Sequence, residues 1–155
     1  MSYWLMKSEP DVYSIDHLVT EPRKTDHWDG IRNYQARNFM RDKMKKGDLS
    51  FFYHSNCPEP AVVGIMEIVC EAYPDHTQFD SNEKYFDAGS DPANPRWLMV
   101  DVRFRRKFKR PVTLRELKSK KRLANMRLVQ RGNRLSILPV TATEWRYILQ
   151  MAGET

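Results

Sequence analysis

Aromatic and planar polar side chains are concentrated in one short segment of this 155-residue sequence. Trp28, Asn33, Tyr34 and Arg37 lie there together, and Gly30 allows a tight turn before them. An aromatic ring gives a nucleobase a stacking surface worth about 1–3 kcal/mol, an amide reads its hydrogen-bonding edge, and arginine pairs with phosphate. The segment therefore predicts contact with a nucleic acid, although Trp28 and Tyr34 taken alone also fit an ordinary hydrophobic core.

Basic side chains form two further groups. In residues 103–110 basic residues are interleaved with Phe104 and Phe108. The basic side chains are therefore predicted to lie on one exposed surface, while the phenylalanines face inward. The predicted phosphate contacts are Arg103, Arg105, Arg106 and Lys109. A second cluster comprises Lys118, Lys120, Lys121 and Arg122. The net charge of +6 favours a polyanionic partner, and a solvated strand and helix face is the alternative interpretation.

Motifs for catalysis or metal binding are missing from the sequence. The four histidines, His17, His27, His54 and His76, match no metalloprotease spacing, and no nucleophile elbow, phosphate-binding loop or dinucleotide-binding motif occurs. Cys57 and Cys70 belong to no Cys/His cluster with metal-ligand spacing. The sequence therefore predicts a protein that is not an enzyme and has no cofactor and no bound metal.

The length and hydropathy of the chain predict one domain spanning residues 1–155. Its N-terminal apolar run is too short for a signal peptide, and no stretch approaches the roughly 18 apolar residues that cross a bilayer. With two incidental thiols, these features predict a cytoplasmic protein without a membrane partner, or a nuclear one if the source is eukaryotic. They leave the oligomeric state open.

Hydrophobic periodicity predicts about five or six strands, at residues 3–6, 49–54, 61–72, 97–104 and 135–140 among others. Leu98, Val100, Val102 and Phe104 alternate onto one predicted buried face, and Gly64 predicts a bend or bulge. Helices are expected after Ser14, at residues 33–44, after Thr113, at residues 123–131 and after Thr141. Residues 73–95 are expected to form a long surface loop. The result is an α+β, mainly β fold, a small mixed barrel with peripheral helices, which leaves few sheet edges exposed.

Five segments, in order along essentially the whole chain, resemble motifs of the EVE domain family. They are residues 3–10, 28–38, 46–55, 95–102 and 128–136. The resemblance implies a PUA-like pseudo-barrel related to YTH, ASCH and SRA domains, which hold a nucleobase in an aromatic-lined pocket. It also implies a nucleic-acid-binding module whose partner is DNA or RNA with a modified base.

By that resemblance Trp28 is one wall of the base pocket, and Tyr85 or Trp97 is the second. Ser8, Asn33 and the backbone near Ser55 would bind the edge of the base, while Arg37 and Arg131 would hold phosphates. The whole predicted ligand-binding set is Ser8, Trp28, Asn33, Tyr34, Arg37, His54, Ser55, Tyr85, Trp97, Arg131 and Ser136.

Two other functions remain open from the sequence. One is an enzyme acting on a modified nucleotide or nucleic acid, with His54 or Asp101 as its acid or base. The other is a protein-interaction module that uses the same pocket for a methylated side chain. A titratable pair with shifted pKa values in the pocket would favour the enzyme.

Overall fold

The computed structural model describes residues 1–154, and within them six strands form one mixed sheet in the order β2-β5-β4-β3-β1-β6. The strands are β1 Tyr3–Ser8, β2 Thr25–Trp28, β3 Leu49–His54, β4 Ala61–Pro74, β5 Leu98–Thr113 and β6 Ile137–Val140. Strands β1 and β3 run parallel, whereas every other neighbouring pair is antiparallel. The arrangement confirms the predicted mixed, mainly β architecture. The short strand β2, at one end of the sheet, is missing from the predicted strands. Asp26 and His27 are polar, so the segment lacks the hydrophobic alternation that indicates a strand.

Strand β5 shows the predicted alternation. Val100 and Val102 are fully buried, and Leu98 and Phe104 are partly buried against the same core cluster. The strand continues to Thr113, so the whole basic run belongs to it. Opposite that run the pairing of β4 with β5 shifts register around Gly64, where an added Cβ would lie 2.2 Å from the backbone oxygen of Arg106. The predicted bulge is therefore present, and close approach of two backbones explains the glycine.

Four helices lie at the expected positions: α1 Ile15–Thr20, α2 Tyr34–Asp42, α3 Leu114–Lys118 and α4 Ala142–Met151. Each begins after a capping side chain, namely Ser14, Asn33, Thr113 and Thr141. The predicted helix at residues 123–131 is wrong. Two short 3-10 turns, Lys121–Leu123 and Arg127–Val129, replace it, because the buried side chains Leu123, Met126 and Leu128 follow spacings of three and two that no α-helical stripe provides.

Both faces of the sheet are covered. Alternation along β1 places Trp4 and Met6 in one core cluster, which packs with α1 and α2, and Leu5 in a second, which packs with α3 and α4. Strand β3 divides its neighbours Phe52 and Phe51 between the same two clusters. The rigid sheet carries the ends of β1, β2 and β3, where the candidate site lies.

The segment between β4 and β5 is more ordered than the predicted surface loop. It starts with a 3-10 turn, His76–Phe79, and with three buried polar residues, Asp75, Thr77 and Gln78. The Gln78 amide donates to the backbone oxygens of Asp75 and Trp97 at 2.6 and 2.8 Å. These bonds join the two ends of the segment and fix its position on the protein. Among residues 1–154, none of the helices is long and apolar enough to span a bilayer.

Candidate nucleic-acid interface

A cavity of about 630 Å³ opens where β1 and β3 end. We call it the base cavity, after the ligand that the sequence predicts. Its volume lies within the range of roughly 300–1,000 Å³ that is usual for small-molecule sites. Separate stretches of the chain line it: residues 7–9, 12–13, 26–31, 55–56, 85, 134 and 136.

The parallel pairing of β1 with β3 creates the floor of the base cavity. Parallel strands end at the same edge of a sheet, so Ser8 and Ser55 become neighbours, and the Ser55 N–H donates to the Ser8 backbone oxygen at 3.0 Å. On the other side of β1, the Lys7 N–H donates to the Ser136 oxygen at 2.9 Å. Three small polar residues from distant segments thus line one surface.

Trp28, at the end of β2, forms an aromatic wall. Its ring packs edge-on against Phe52 with centroids 5.3 Å apart and against Tyr13 at 6.4 Å. The residue is only 7% exposed and belongs to the hydrophobic core, yet it lines the base cavity. Trp28 is therefore both a core residue and a residue that lines the base cavity, so the two interpretations from the sequence are compatible.

Of the two sequence candidates for a second wall, Tyr85 lines the base cavity and Trp97 does not. The Tyr85 ring lies against Gly30, where an added Cβ would be 2.6 Å from the ring, and Gly30 has a φ of +78°. Trp97 is buried, and its indole N–H donates to Asp87 at 2.7 Å. Its large apolar ring lies in the interior of the segment between β4 and β5 instead.

An ion pair beneath the loop holds Tyr85 in place. Arg32 donates from Nε and Nη2 to the backbone oxygen of Tyr85 at 3.0 and 2.7 Å, and from Nη1 to the buried Asp75 carboxylate at 3.1 Å. Asp75 also accepts from the N–H of Gly30 at 2.9 Å and from Thr77. Burial raises the pKa of Asp75, but the hydrogen bonds from Thr77, Gly30 and Arg32 outweigh it and keep that pKa below its ordinary value.

Charged groups of both signs line the base cavity. His27 lies between two carboxylates, 3.3 Å from Asp26 and 3.2 Å from Asp29. Burial raises the pKa of Asp29, an effect that the nearby His27 partly offsets. Burial also lowers the pKa of Lys7. The cavity therefore offers carboxylate acceptors at Asp26 and Asp29 and a cationic donor at Lys7.

The hydroxyl group of Tyr13 is the clearest sign of unused bonding capacity. Its oxygen is buried beside the Asp26 carboxylate and makes no hydrogen bond of good geometry within residues 1–154, although the residue lines the base cavity. Burial, and after it the hydrogen-bonding contact with Asp26 and the charge of that carboxylate, raise the pKa of this phenol, so it stays protonated and able to donate. Leaving such a group unpaired costs about 1–3 kcal/mol, so water or a ligand is expected to complete it.

The remaining candidates lie outside the base cavity. Asn33 caps α2 by accepting from the Ala36 N–H at 2.9 Å, because the helix start needs an acceptor there. His54 accepts from the Ile15 N–H at 3.1 Å through Nε2, and burial lowers its pKa. Arg131 is exposed in the turn before β6. Of Ser8, Trp28, Asn33 and Tyr34, which belong to one predicted ligand-binding set, Ser8 and Trp28 line the base cavity and Asn33 and Tyr34 do not.

Tyr34 and Arg37 lie instead in a second depression, of about 560 Å³, between α2 and the end of the loop. We call it the α2 groove. It is lined by Tyr34, Arg37, Arg41, residues 89–91 and residues 94–96, together with Leu98. The two residues therefore remain solvent-accessible, but on a surface distinct from the base cavity.

Most of the predicted phosphate contacts on β5 already have acidic neighbours. Arg103 and Arg105 share the Glu67 carboxylate, at 3.9 and 2.5 Å, and Arg106 lies 3.1 Å from Glu154. Lys109 is exposed and has no ion pair among the described residues. The side chains face solvent as expected, yet the carboxylates reduce the net charge that they present.

Sequence reasoning missed several residues of the base cavity and its support, notably Tyr13, Asp29, Arg32 and Asp75. Arg32 lies within residues 28–38, one of the segments that resemble EVE family motifs, and Gly30 in the same segment indicated a tight turn. Asp75 gave no such signal, because a lone aspartate in a polar segment resembles any solvated loop residue. No cluster of three or more His, Cys, Asp or Glu suited to a metal ion is found within residues 1–154.

The profile of the EVE domain family matches residues 2–151. Human thymocyte nuclear protein 1 is 49% identical over 167 residues, covering 97% of this chain and 73% of the human protein. The crystal structure of human THYN1 protein in complex with 5-methylcytosine containing DNA superposes with a TM-score of 0.94 at 48% identity, covering 100% of this chain and 99% of the other. The crystal structure of a Pseudomonas syringae protein gives a TM-score of 0.93 at 48% identity, with 97% and 99% covered.

The family profile spans nearly the whole chain, and the fold of these relatives matches the mixed six-stranded sheet described above. The order of the sequence motifs and the tertiary structure both match this family. The chain belongs to the EVE domain family.

Proposed function

We propose that this protein binds DNA carrying a modified cytosine and holds the modified base in the base cavity, without catalysing a reaction. The observation that carries the proposal is a cavity of about 630 Å³ walled by Trp28 and Tyr85. A relative of this fold at 48% identity, the human THYN1 protein, has been crystallised in complex with 5-methylcytosine containing DNA. That complex favours DNA over RNA as the partner.

The two aromatic side chains supply the stacking surface. Stacking on an aromatic side chain is worth about 1–3 kcal/mol per base. A base in a duplex must first leave the helix, at a cost of a few kcal/mol. Stacking on Trp28 and Tyr85 offsets that cost for any base. Because the two rings also hold the base against the cavity edge, where its methyl group is read, they support selectivity as well as affinity.

The polar lining suits the hydrogen-bonding edge of cytosine. Cytosine presents an exocyclic amino group, for which aspartate is a fitting acceptor, and Asp26 and Asp29 line the base cavity. The hydroxyl of Tyr13, which lies beside Asp26, and the side chain of Ser55 supply donors for the acceptor atoms of the base. Acceptors and donors in the same cavity favour a ring that carries both.

A methyl group on the base adds a further apolar contact. Burying one methyl or methylene group is worth about 0.8 kcal/mol. That free energy corresponds to roughly a fourfold preference for the methylated base at 25 °C. A fourfold ratio is therefore the smallest selectivity that the proposal expects.

Phosphates of the same DNA are expected on the basic face of β5, which carries Arg103, Arg105, Arg106 and Lys109. Exposed ion pairs are weak, so a phosphate can compete with the carboxylates there. A DNA partner also implies a place in the cell where DNA is found, the nucleus of a eukaryote or the cytoplasm of a bacterium.

The enzyme alternative receives less support from the geometry. His54 and Asp101, its candidate acid and base, do not line the base cavity. His54 is occupied by the Ile15 N–H, and Asp101 accepts from the Tyr73 hydroxyl. Each therefore has a structural hydrogen-bond partner, and neither is placed to act on a ligand in the base cavity.

Binding of the intact protein to matched oligonucleotides tests the proposal. Fluorescence anisotropy would compare duplexes that contain one 5-methylcytosine or one cytosine in the same sequence, together with their single-stranded and RNA counterparts. We expect the methylated DNA to bind at least about fourfold more tightly, and Tyr85→Ala to reduce that ratio. Equal affinities for methylated and unmethylated DNA would overturn the assignment.

A further inference from the structure

The α2 groove contains an exposed aromatic ring, that of Tyr34, which packing of the hydrophobic core does not explain. Tyr34 is 53% exposed, whereas most aromatic residues of this chain are buried or partly buried. Its ring is nevertheless held firmly: it lies 5.0 Å from the Trp97 ring at an interplanar angle of 32°, and the Arg37 guanidinium lies 4.8 Å from its centroid. A fixed, exposed aromatic ring is a suitable stacking platform for a nucleobase.

Arg37 brings a positive charge to the same place and forms no ion pair within residues 1–154. Its guanidinium donates to the Asn38 side-chain oxygen from Nε and Nη2, at 3.1 and 2.8 Å, and to the backbone oxygen of Arg96 from Nη1, at 3.2 Å. Both acceptors are neutral. Three of its five N–H groups are engaged, so two remain for a ligand.

The other two arginines of the groove differ from Arg37. Arg41 is paired with Asp42 at 2.8 Å, and Arg96 is paired with Asp87 at 3.1 Å. Their charges are therefore largely balanced by neighbouring carboxylates. Arg37 is the arginine in this groove with the most to gain from an anion.

A continuous row of side chains joins the groove to the base cavity. The Arg32 guanidinium lies 5.5 Å from the centroid of the Tyr85 ring, which lines the base cavity, and 5.5 Å from that of Trp97. Trp97 in turn supports Tyr34. The same structural unit thus positions an aromatic surface at each of the two sites.

We propose that the α2 groove is a second nucleotide subsite, in which Tyr34 stacks on an unpaired base and Arg37 pairs with that nucleotide's phosphate. The proposal rests on the proposed function, because the nucleotide belongs to the strand whose modified base occupies the base cavity. Stacking and a phosphate contact carry no information about methylation. The subsite therefore contributes to affinity for any base sequence and leaves selectivity to the base cavity.

The test measures two quantities that separate these roles: affinity for the methylated oligonucleotide, and its ratio to the unmethylated one. Single strands with one 5-methylcytosine and successively more flanking nucleotides serve as probes. Tyr34→Ala is expected to weaken binding about 5- to 160-fold for both long probes, with an unchanged ratio. Tyr34→Phe, which keeps the ring, is expected to bind like the parent.

Arg37→Gln is expected to weaken binding of long probes and to lower the salt dependence of binding by about 0.7 in the slope of log K against log salt for single strands. Arg115→Gln, which removes an 85%-exposed arginine on α3, is the matched control and should change neither property appreciably. The shortest probes should be insensitive to both groove variants, because they do not reach the α2 groove.

The outcomes of these measurements distinguish two failures. If Tyr34→Ala and Arg37→Gln bind every probe like the parent while Tyr85→Ala loses the methylation ratio, the second subsite is overturned and the proposed function stands. If the parent protein itself shows no methylation ratio, the proposed function has failed. Loss of the ratio in Tyr34→Ala would also overturn the subsite, since the residue would then act on the base cavity.

Discussion

The base cavity and the basic face of β5 differ in how much bonding capacity they leave unused. In the cavity, the buried Tyr13 hydroxyl makes no hydrogen bond of good geometry within residues 1–154, and Asp26 and Asp29 surround one histidine. On β5, by contrast, Arg103 and Arg105 share a single carboxylate of Glu67. The base cavity therefore keeps bonding capacity for a ligand, whereas most of the cations on β5 already have carboxylate partners.

The difference shows that charge counted along a sequence overstates the charge that a surface presents. Cations on β5 face solvent but lie beside carboxylates from β4 and from the chain after α4, which the linear sequence does not place near them. Polar groups of the base cavity come from segments far apart and acquire their chemistry through burial. Four sets of substitutions test this contrast, and they follow in order of decreasing expected effect on stability.

Trp28→Ala should have the largest effect, because the residue serves both the core and the base cavity. We expect a loss of about 3–5 kcal/mol in the free energy of unfolding together with loss of the preference for methylated DNA. Trp145→Ala is the matched control, since Trp145 is 4% exposed and stacks on Phe51 in the opposite core cluster. Urea unfolding and binding ratios should show similar destabilisation in both variants and an altered ratio in Trp28→Ala alone; equal ratios would refute the cavity role.

Asp75→Asn should remove about 3 kcal/mol of stability, because it leaves Arg32 without its carboxylate partner. The pKa of folded Asp75 lies below its ordinary value, so its contribution is complete above the unfolded pKa, near 4. That contribution is lost as the pH falls through the folded pKa. Unfolding measured between about pH 6 and pH 2 should therefore show less acid sensitivity in Asp75→Asn than in the parent. An identical pH dependence would contradict the role of this pair.

Gly30→Ala should destabilise the protein by about 1–3 kcal/mol and lower the methylation ratio, because the new methyl group would displace the Tyr85 ring. Gly47→Ala provides the control, since Gly47 also has a positive φ, +95°, but no atom within 4 Å of an added Cβ. Backbone strain is then common to both variants. Should the two bind methylated DNA equally well, Tyr85 is not a wall of the binding site.

Neutralising Arg103 and Arg105 together should have the smallest effect, with a change in stability below about 1 kcal/mol. Because the two share Glu67, we expect the slope of log K against log salt to fall by about 0.9, the value for one phosphate contact on duplex DNA, and not by twice that. Lys109→Gln, which removes a cation without an ion pair in the described chain, should produce about the same change by itself. An unchanged slope in both variants would make the basic face of β5 a solvated surface only.

Local sequence rules determined most elements of this fold. Capping residues such as Ser14 and Thr141 marked helix starts, and alternation in β5 identified its buried face, because both patterns depend on neighbours within a few residues. The helix expected at residues 123–131 was wrong for a related reason: packing of Leu123, Met126 and Leu128 into the core overrode a weak local preference.

The candidate site was predicted less completely, since its residues meet through the sheet and not along the chain. Aromatic and polar types were enough to single out Trp28, and the family resemblance added Ser8 and Tyr85. Sequence alone could not choose Tyr85 over Trp97 as a lining residue, because that choice depends on Gly30, Arg32 and the buried Asp75. Pairing across distant segments decided which polar groups became buried and unsatisfied, and burial gives such groups their capacity to bind.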